Sequence, residues 1–165
     1  MFDKKWYNKS RNFYMRWIME QTVYQKLLEF KKKYPMTIAW RLKSHAKIIE
    51  KHLNPGEEVL YAFAAQKNDN PLDIITTYAI VLTNKRIMIG SKRILFGYFF
   101  TTITPDLFND LKVNMGIIWG KIYIDTIKEF VTFSNIDRNA LPEIETNISE
   151  YMMNEKRKIS KETEE

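Results

Sequence analysis

The sequence of 165 residues contains no cysteine, which excludes disulfide bonds, cysteine nucleophiles and zinc sites built on thiolates. Its five glycines are scattered, so the sequence has no glycine-rich loop of the kind that binds phosphate. The longest apolar run, residues 94–100, is far shorter than the roughly 20 residues of a membrane-spanning helix. The first residues lack the apolar stretch of a secretory signal. Together these absences predict a cytoplasmic protein that does not span a bilayer.

The composition predicts a folded protein with a basic N-terminal third. Hydrophobic residues make up 45% of the chain and aromatic residues 14%, which is enough for a packed core. The net charge of +6 is unevenly placed: residues 1–53 carry +9, residues 54–142 carry 0 and residues 143–165 carry −3. We therefore expect any binding driven by positive charge to involve the N-terminal third.

Two helices are predicted before the strands begin. The first covers residues 3–34, where large apolar residues recur at four- and seven-residue steps and so share one face; they are Phe2, Trp6, Phe13, Trp17, Tyr24 and Leu28. Pro35 ends this helix, because proline disfavours a helical conformation in the residue before it. The second helix covers residues 37–53, with an apolar face made by Leu42, Ala46, Ile49 and Leu53.

After Gly56 the apolar period changes to two, which predicts short strands. The clearest signal is residues 80–89, where two apolar runs flank a polar step and predict a β-hairpin. The seven predicted strands are residues 57–66, 76–83, 86–89, 95–103, 107–115, 119–125 and 129–134. Connections this short favour antiparallel pairing. A helix follows from about residue 141, and its buried stripe is predicted at Ile144, Ile148 and Met152.

The order of seven short strands and one amphipathic helix resembles the pleckstrin-homology (PH) fold. The local sequence is similar to bacterial PH-like proteins of the YokE-like kind, in residues 53–60, 82–87 and 116–124. The resemblance covers about residues 42–152. It implies an α+β, mainly β, architecture: a seven-stranded antiparallel barrel or sandwich closed by a C-terminal helix, here preceded by two N-terminal helices. The family generally lacks a known enzymatic role, and its ligands are mostly unassigned.

The sequence predicts three regions: a basic and aromatic N-terminal helix at residues 1–35, a PH-like domain with its leading helix at residues 36–154, and a charged tail at residues 155–165. No catalytic, cofactor-binding or metal-binding residues are predicted. His45 and His52 lie two turns apart, about 10.5 Å along a helix, so they cannot share a metal and are expected at the surface or as caps. Paired carboxylates such as those of residues 57–58 are expected to be solvated at turns or strand ends.

The polar step at residues 83–86 has two interpretations. In the structural one, Thr83 and Asn84 favour a turn while the Lys85 and Arg86 side chains face water. In the functional one, Lys85 and Arg86 join Lys92 and Arg93 as a basic patch for an anionic head group; we favour the structural interpretation. Phosphoinositide-binding PH domains concentrate cations in the first hairpin, whereas residues 67–73 here carry one lysine and two aspartates.

The strongest functional signal is the N-terminal helix, which combines aromatic and basic residues. The candidate interface residues are Lys4, Lys5, Trp6, Lys9, Arg11, Phe13, Arg16 and Trp17. Such a stripe packs against another protein surface, or it lies in the headgroup region of an anionic membrane. The first hypothesis is therefore a non-catalytic bacterial PH-like scaffold that docks on a protein or on itself through this helix. The alternative is peripheral association with anionic lipid at the inner face of the membrane. Nucleic-acid binding is not expected.

Overall fold

A computed structural model describes residues 23–70 and 72–164 of the chain. Residues 23–33 are helical, and this helix is called α1. The next helix, α2, spans Leu42–Glu50. The C-terminal helix consists of α3 (Leu141–Glu145), a π-helical turn (Thr146–Glu150) and α4 (Tyr151–Glu164). The described part contains seven strands: β1 (Val59–Gln66), β2 (Thr77–Thr83), β3 (Ile87–Lys92), β4 (Tyr98–Ile103), β5 (Phe108–Met115), β6 (Trp119–Thr126) and β7 (Phe130–Asp137). The predicted seven strands and closing helix are confirmed.

All neighbouring strands are antiparallel, in the order β4-β3-β2-β1-β7-β6-β5. The predicted hairpin is present, with Ile80 opposite Ile89 in β2 and β3. The β1 and β7 strands pair at one position, Gln66 opposite Ser134. Because the two halves of the sheet join over so short a stretch, they diverge and the sheet curls into a half-barrel. The concave side of this half-barrel holds the larger apolar core.

The C-terminal helix fills the concave side of the half-barrel. Its predicted stripe is confirmed, because Ile144, Ile148 and Met152 are completely buried. They pack with large side chains from the strands, among them Phe63 and Phe133. Residues of the predicted charged tail are helical, since α4 continues to Glu164.

The β1, β2 and β3 strands are covered on both faces, because α2 packs on the convex side. Small residues permit a close approach there: a Cβ added at Gly90 would lie 2.8 Å from the Ile49 side chain. The apolar face predicted for α2 is buried or half-buried, but the helix is shorter than the predicted residues 37–53. The reason is that the Ile38 amide donates to the Asn135 carbonyl at 2.9 Å, which holds this stretch against β7 instead of in a helix.

Within the described residues, the face of α1 that packs on the strands is shifted from the predicted one, although the predicted residue Tyr24 is half-buried against them. Leu27 and Phe30 are buried, whereas Leu28, predicted on the apolar stripe, is 42% exposed. The Phe30 ring lies 5.9 Å from the Phe63 ring, and the Tyr34 hydroxyl donates to the Glu143 carboxylate at 2.7 Å. This end of α1 therefore contributes to the core of the half-barrel. The proposed domain boundaries at residues 35 and 154 stay predictions.

Candidate functional site

The predicted interface residues of the N-terminal helix, Lys4 to Trp17, lie outside the described residues. The four cations of the alternative basic patch lie within the described residues, but they are not close to one another. Lys85 and Arg86 belong to the β2–β3 turn, whereas Lys92 and Arg93 lie at the opposite end of β3. A single site made from all four cations is therefore wrong, and each pair has a different environment.

Arg86 belongs to a buried ion pair and is not a solvated turn residue as predicted. Its Nε donates to the Glu57 carboxylate at 2.9 Å, and its Nη2 donates to the second oxygen at 3.0 Å. The Thr83 hydroxyl and the Asn54 amide also donate to this carboxylate, at 2.7 and 3.0 Å. Burial alone would raise the pKa of Glu57, but the hydrogen bonds from these groups outweigh it and hold the pKa below its usual value.

The expectation that Glu57 is solvated is also wrong, since the residue is buried. The physical reason is that four donors satisfy both carboxylate oxygens, which makes burial of the charge tolerable. The arrangement ties the start of β1 to the β2–β3 turn. Its role is structural.

His45 is buried as well, although the sequence predicted a surface or cap position. Its Nδ1 accepts a hydrogen bond from the Lys92 amide at 2.9 Å, so the ring links α2 to the end of β3. Burial, reinforced by the nearby charge of Arg41, lowers the pKa of His45 to about 4, against the opposing effect of a hydrogen bond to the Trp40 backbone. His45 is therefore neutral at physiological pH.

His52 matches the prediction of a cap at the end of α2. Its Nδ1 lies 2.7 Å from the Ile48 carbonyl oxygen, and its ring stacks on Phe100 with centroids 3.8 Å apart. Neither histidine belongs to a metal-ligand set, because the described residues contain no group of three or more metal-ligating side chains.

A cleft of about 280 Å³ lies beside His45, between the end of the β1–β2 loop, the β3–β4 hairpin and the start of α2. Its walls are mainly apolar, with Trp40, Tyr78 and Phe99 as the aromatic residues. Three cations, Arg41, Lys92 and Arg93, line it together with the isoleucines at positions 74, 75 and 94. No carboxylate is among the residues that line the cleft. The cleft therefore suits a ligand that is both anionic and apolar.

Arg41 joins α2 to the β3–β4 hairpin at one wall of the cleft. Its guanidinium donates to the carbonyls of Lys92 at 3.2 Å and Arg93 at 3.3 Å. Arg41 adopts a left-handed backbone conformation with φ of 54°, which is uncommon for a residue with a side chain. The Arg93 guanidinium lies 4.0 Å from the centre of the Phe99 ring, a cation–π geometry. The hairpin is thus held by side-chain contacts at its base.

The sequence analysis assigned residues 95–103 to one strand, and this assignment is wrong at its start. The β4 strand begins at Tyr98, opposite Lys92, and the Arg93 amide donates to the Gly97 carbonyl at 3.3 Å. Gly97 has φ of +75°, a conformation that glycine adopts without strain. Residues 94–97 therefore form the tip of a hairpin, and the apolar residues there are exposed. Their apolar run is also typical of a strand, so the sequence alone did not reveal the tip.

A family model described as a bacterial PH domain matches residues 53–150, more than half of the chain. The chain belongs to the bacterial PH domain family. The half-barrel and its closing helix agree with a PH-like fold that is mainly β. The matched part of this PH-like protein contains both hairpins that flank the cleft, but not Trp40, Arg41 or His45. The narrower resemblance to YokE-like proteins stays a prediction.

No curated protein matches this bacterial PH-like chain. Among solved structures, it is similar to a pleckstrin homology domain from Shewanella amazonensis SB2B at 1.99 Å resolution. That match has 13% sequence identity and a TM-score of 0.45, and it covers 66% of this chain and 85% of the other.

Proposed function

We propose that this bacterial PH-like protein is a non-catalytic interaction module that uses residues 1–22 for docking on a protein partner or for self-association. Membership of the bacterial PH domain family supports an interaction module in general. The observation that favours docking through the N-terminal segment is the packing of α1. Val23 and Leu27 are completely buried against the convex side of β1 to β3, so the segment before them is attached to the domain at a fixed point.

The composition of residues 1–22 supports a contact surface. On the helix predicted from the sequence, Trp6, Phe13 and Trp17 would share one face, and their apolar area would be too large to leave in water. Aromatic residues of this kind dominate the energetics of protein interfaces, because each one buries a large area with few rotatable bonds. We therefore assign the contact to these three residues, with the neighbouring cations at its rim.

Light scattering of the full chain tests the proposal. We expect the wild-type molar mass to rise with concentration and the variant Trp6→Ser, Phe13→Ser, Trp17→Ser to stay monomeric with an unchanged melting temperature. Deleting the chain up to Met36 would be a poorer test, because it also removes Phe30 and Tyr34 from the core. Wild type and variant that are both monomers of equal stability would contradict self-association and would restrict the proposal to docking on a protein partner.

The alternative function is peripheral binding of anionic membranes through residues 3–18. The observation that favours it is the excess of positive charge in the N-terminal third, to which α2 and its C-cap residue contribute an exposed row at Lys43, Lys47 and Lys51. Each cation near an anionic surface contributes about 1 kcal/mol. No helix among the described residues is long and apolar enough to cross a membrane.

Co-sedimentation with anionic vesicles at low and moderate salt tests this alternative. We expect binding that weakens as salt screens the charges, and that is lost when Lys4, Lys5, Lys9, Arg11 and Arg16 are all changed to glutamine. Absence of binding at low salt would contradict it. The location in the cytoplasm, at the inner face of the membrane in this alternative, stays a prediction, as does the absence of a nucleic-acid partner.

A further inference from the structure

We propose that the free edge of β4 binds an extended acidic segment of a partner protein, which adds to the sheet as a further strand. We call this surface the β4 edge and define it as the backbone N–H and C=O groups of Tyr98, Phe100 and Thr102. The β4 edge lies outside residues 1–22, so it is a site distinct from the one in the proposed function.

The register of the β3–β4 hairpin leaves these backbone groups free. The Arg93 amide donates to the Gly97 carbonyl at 3.3 Å, and from there the two strands pair in an unbroken register as far as Ile103. In an antiparallel ladder, every second pair of opposite residues exchanges hydrogen bonds. The residues of β4 that bond to β3 are therefore Phe99, Thr101 and Ile103, and the backbone groups of the residues between them point away from β3.

The β4 strand is the last strand on its side of the sheet. Among the described residues, no backbone hydrogen bond from another element reaches the β4 edge. Tyr98 and Phe99 point to opposite faces of the sheet and are 45% and 47% exposed, so neither face is covered at this end of the strand. Such an open row of N–H and C=O groups is a template for pairing with another chain.

The strand at the other side of the sheet, β5, is protected against such pairing. It carries Asp110 and Lys112, and its register is shifted between Phe108 and Asp110. The Lys156 side chain of α4 also donates to the Phe108 carbonyl at 2.6 Å. Charged residues, bulges and covering elements are the means by which proteins block edge pairing. The β4 strand contains no charged residue, no proline and no register shift, so its edge is left available for a strand.

Positive charge surrounds the end of the β4 edge at Tyr98. Lys92 lies opposite Tyr98 in β3. The end of α2 reaches the same place, because the ring of His52, which follows the exposed Lys51, stacks on the Phe100 ring with centroids 3.8 Å apart. Carboxylates beside this end would be attracted and lysines would be repelled. In antiparallel pairing, which is the commoner kind, this end meets the C-terminal part of the added segment.

A segment of another protein is favoured over the other occupants. Residues 1–22 carry five cations and two carboxylates, so the same positive charge disfavours their binding here. The C-terminal residues are helical as far as Glu164 and offer no extended segment. A second copy would bring two α2 helices to one side of a joint sheet, each with exposed lysines at positions 43, 47 and 51. Repulsion between like charges therefore disfavours pairing of β4 with itself.

A synthetic peptide tests the β4 edge directly. The probe is an acetylated peptide of alternating threonine and valine residues that ends in two glutamates, and it is titrated into the full chain. By NMR we expect slower hydrogen exchange at the amides of Tyr98, Phe100 and Thr102, because each gains a bonding partner. The amides of Leu111 and Val113 should not change, since by the register of β5 and β6 they face the protected edge of β5.

Two altered peptides serve as matched controls. The same peptide with every amide nitrogen methylated keeps its side chains and charges but cannot donate hydrogen bonds, so binding should weaken at least about tenfold. The peptide that ends in two lysines keeps its backbone donors but reverses the charge, so binding should weaken about threefold or more.

Substitutions on the protein supply a second test. Thr102→Pro removes a donor of the β4 edge but none that pairs with β3, so the strand is expected to form. We expect it to weaken peptide binding at least about tenfold, because the proline ring also blocks the approach of a strand. Met115→Pro, which changes an amide facing the edge of β5, should leave binding within about twofold. A circular dichroism spectrum equal to that of the wild type confirms that each variant is folded.

Three results would overturn the proposal: no binding of the acidic peptide, slower exchange at amides outside the β4 edge only, or equal binding of the methylated and unmethylated peptides. The wild-type exchange pattern decides the question even if a proline variant does not fold. A molar mass that falls in Thr102→Pro without peptide would assign the β4 edge to a second copy and would also overturn the proposal. Self-association through residues 1–22 is measured without peptide, so failure of the β4 edge and failure of the proposed function are distinguishable.

Discussion

Replacing Glu57 by glutamine should destabilise the protein strongly, because it breaks the buried ion pair with Arg86. Glutamine has nearly the same shape but carries no charge, and its amide group would place hydrogens against the donors of Arg86. The side chain of Glu57 is fully buried, whereas that of Arg86 keeps 19% exposure. The variant therefore leaves a largely buried guanidinium without its counter-charge.

The magnitude follows from the contacts that are lost. Removing one partner of a buried ion pair costs about 3–5 kcal/mol in the free energy of unfolding. The partial exposure of Arg86, and its remaining hydrogen bond to the His52 carbonyl at 2.9 Å, lower the cost. We therefore expect Glu57→Gln to lower the free energy of unfolding by about 3 kcal/mol at neutral pH. Glu58→Gln, at the exposed neighbouring position, is the matched control and should change stability by less than about 0.5 kcal/mol.

Urea unfolding followed by circular dichroism measures both variants across pH. Because the pKa of Glu57 is lowered in the folded state, its stabilising effect is complete above the unfolded value of about 4.3 and is lost as the pH falls through the folded value. The difference in the free energy of unfolding between wild type and Glu57→Gln should therefore shrink as the pH falls below the unfolded value of about 4.3. A difference below about 0.5 kcal/mol at pH 7, or one that grows in acid, would refute this reasoning.

Three further predictions concern packing and protonation. A Cβ added at Gly120 would lie 2.3 Å from its nearest neighbouring atom, and a Cβ added at Gly90 would lie 2.8 Å from its nearest neighbour. In urea unfolding, Gly120→Ala should therefore lower the free energy of unfolding by about 3 kcal/mol and Gly90→Ala by about 1 kcal/mol. Phe30→Ala should cost about 3–5 kcal/mol and the exposed control Leu28→Ala less than about 0.5 kcal/mol; equal effects would contradict the packing of α1. The pKa of His45 is about 4, so NMR should show its ring neutral down to about pH 5, and its stabilising effect should be lost as the pH falls from about 6.5 toward 4.

The parts of the fold predicted correctly are those with a local periodic signal. The hairpin of residues 80–89 alternates apolar runs with a polar turn, and the C-terminal helix repeats apolar residues every four positions. Both patterns depend only on neighbours in the chain. They appear in the structure as the β2–β3 pairing and as the buried stripe of the C-terminal helix.

The errors concern features set by contacts between distant residues. Glu57 and Arg86 are 29 positions apart, and only the folded sheet shows that their charges meet. Apolar residues occur on more than one face of α1. Periodicity alone therefore did not show that Leu27 and not Leu28 faces the strands. The cleft was missed for the same reason, because its walls come from α2 and two separate hairpins. The exposed apolar run at residues 94–96 was its one sequence signal, but such a run is equally typical of a strand.

Amide hydrogen exchange of the full chain at low and high protein concentration tests the central claim most directly, because it locates the contact. The claim is that residues 1–22 carry the interaction of this bacterial PH-like module. We expect protection to rise with concentration in peptides from residues 1–22, while peptides from the strands and the C-terminal helix stay unchanged. Protection that rises only in the strands or the C-terminal helix would contradict the account. Protection that rises nowhere in the chain would contradict self-association and would restrict the account to docking on a protein partner.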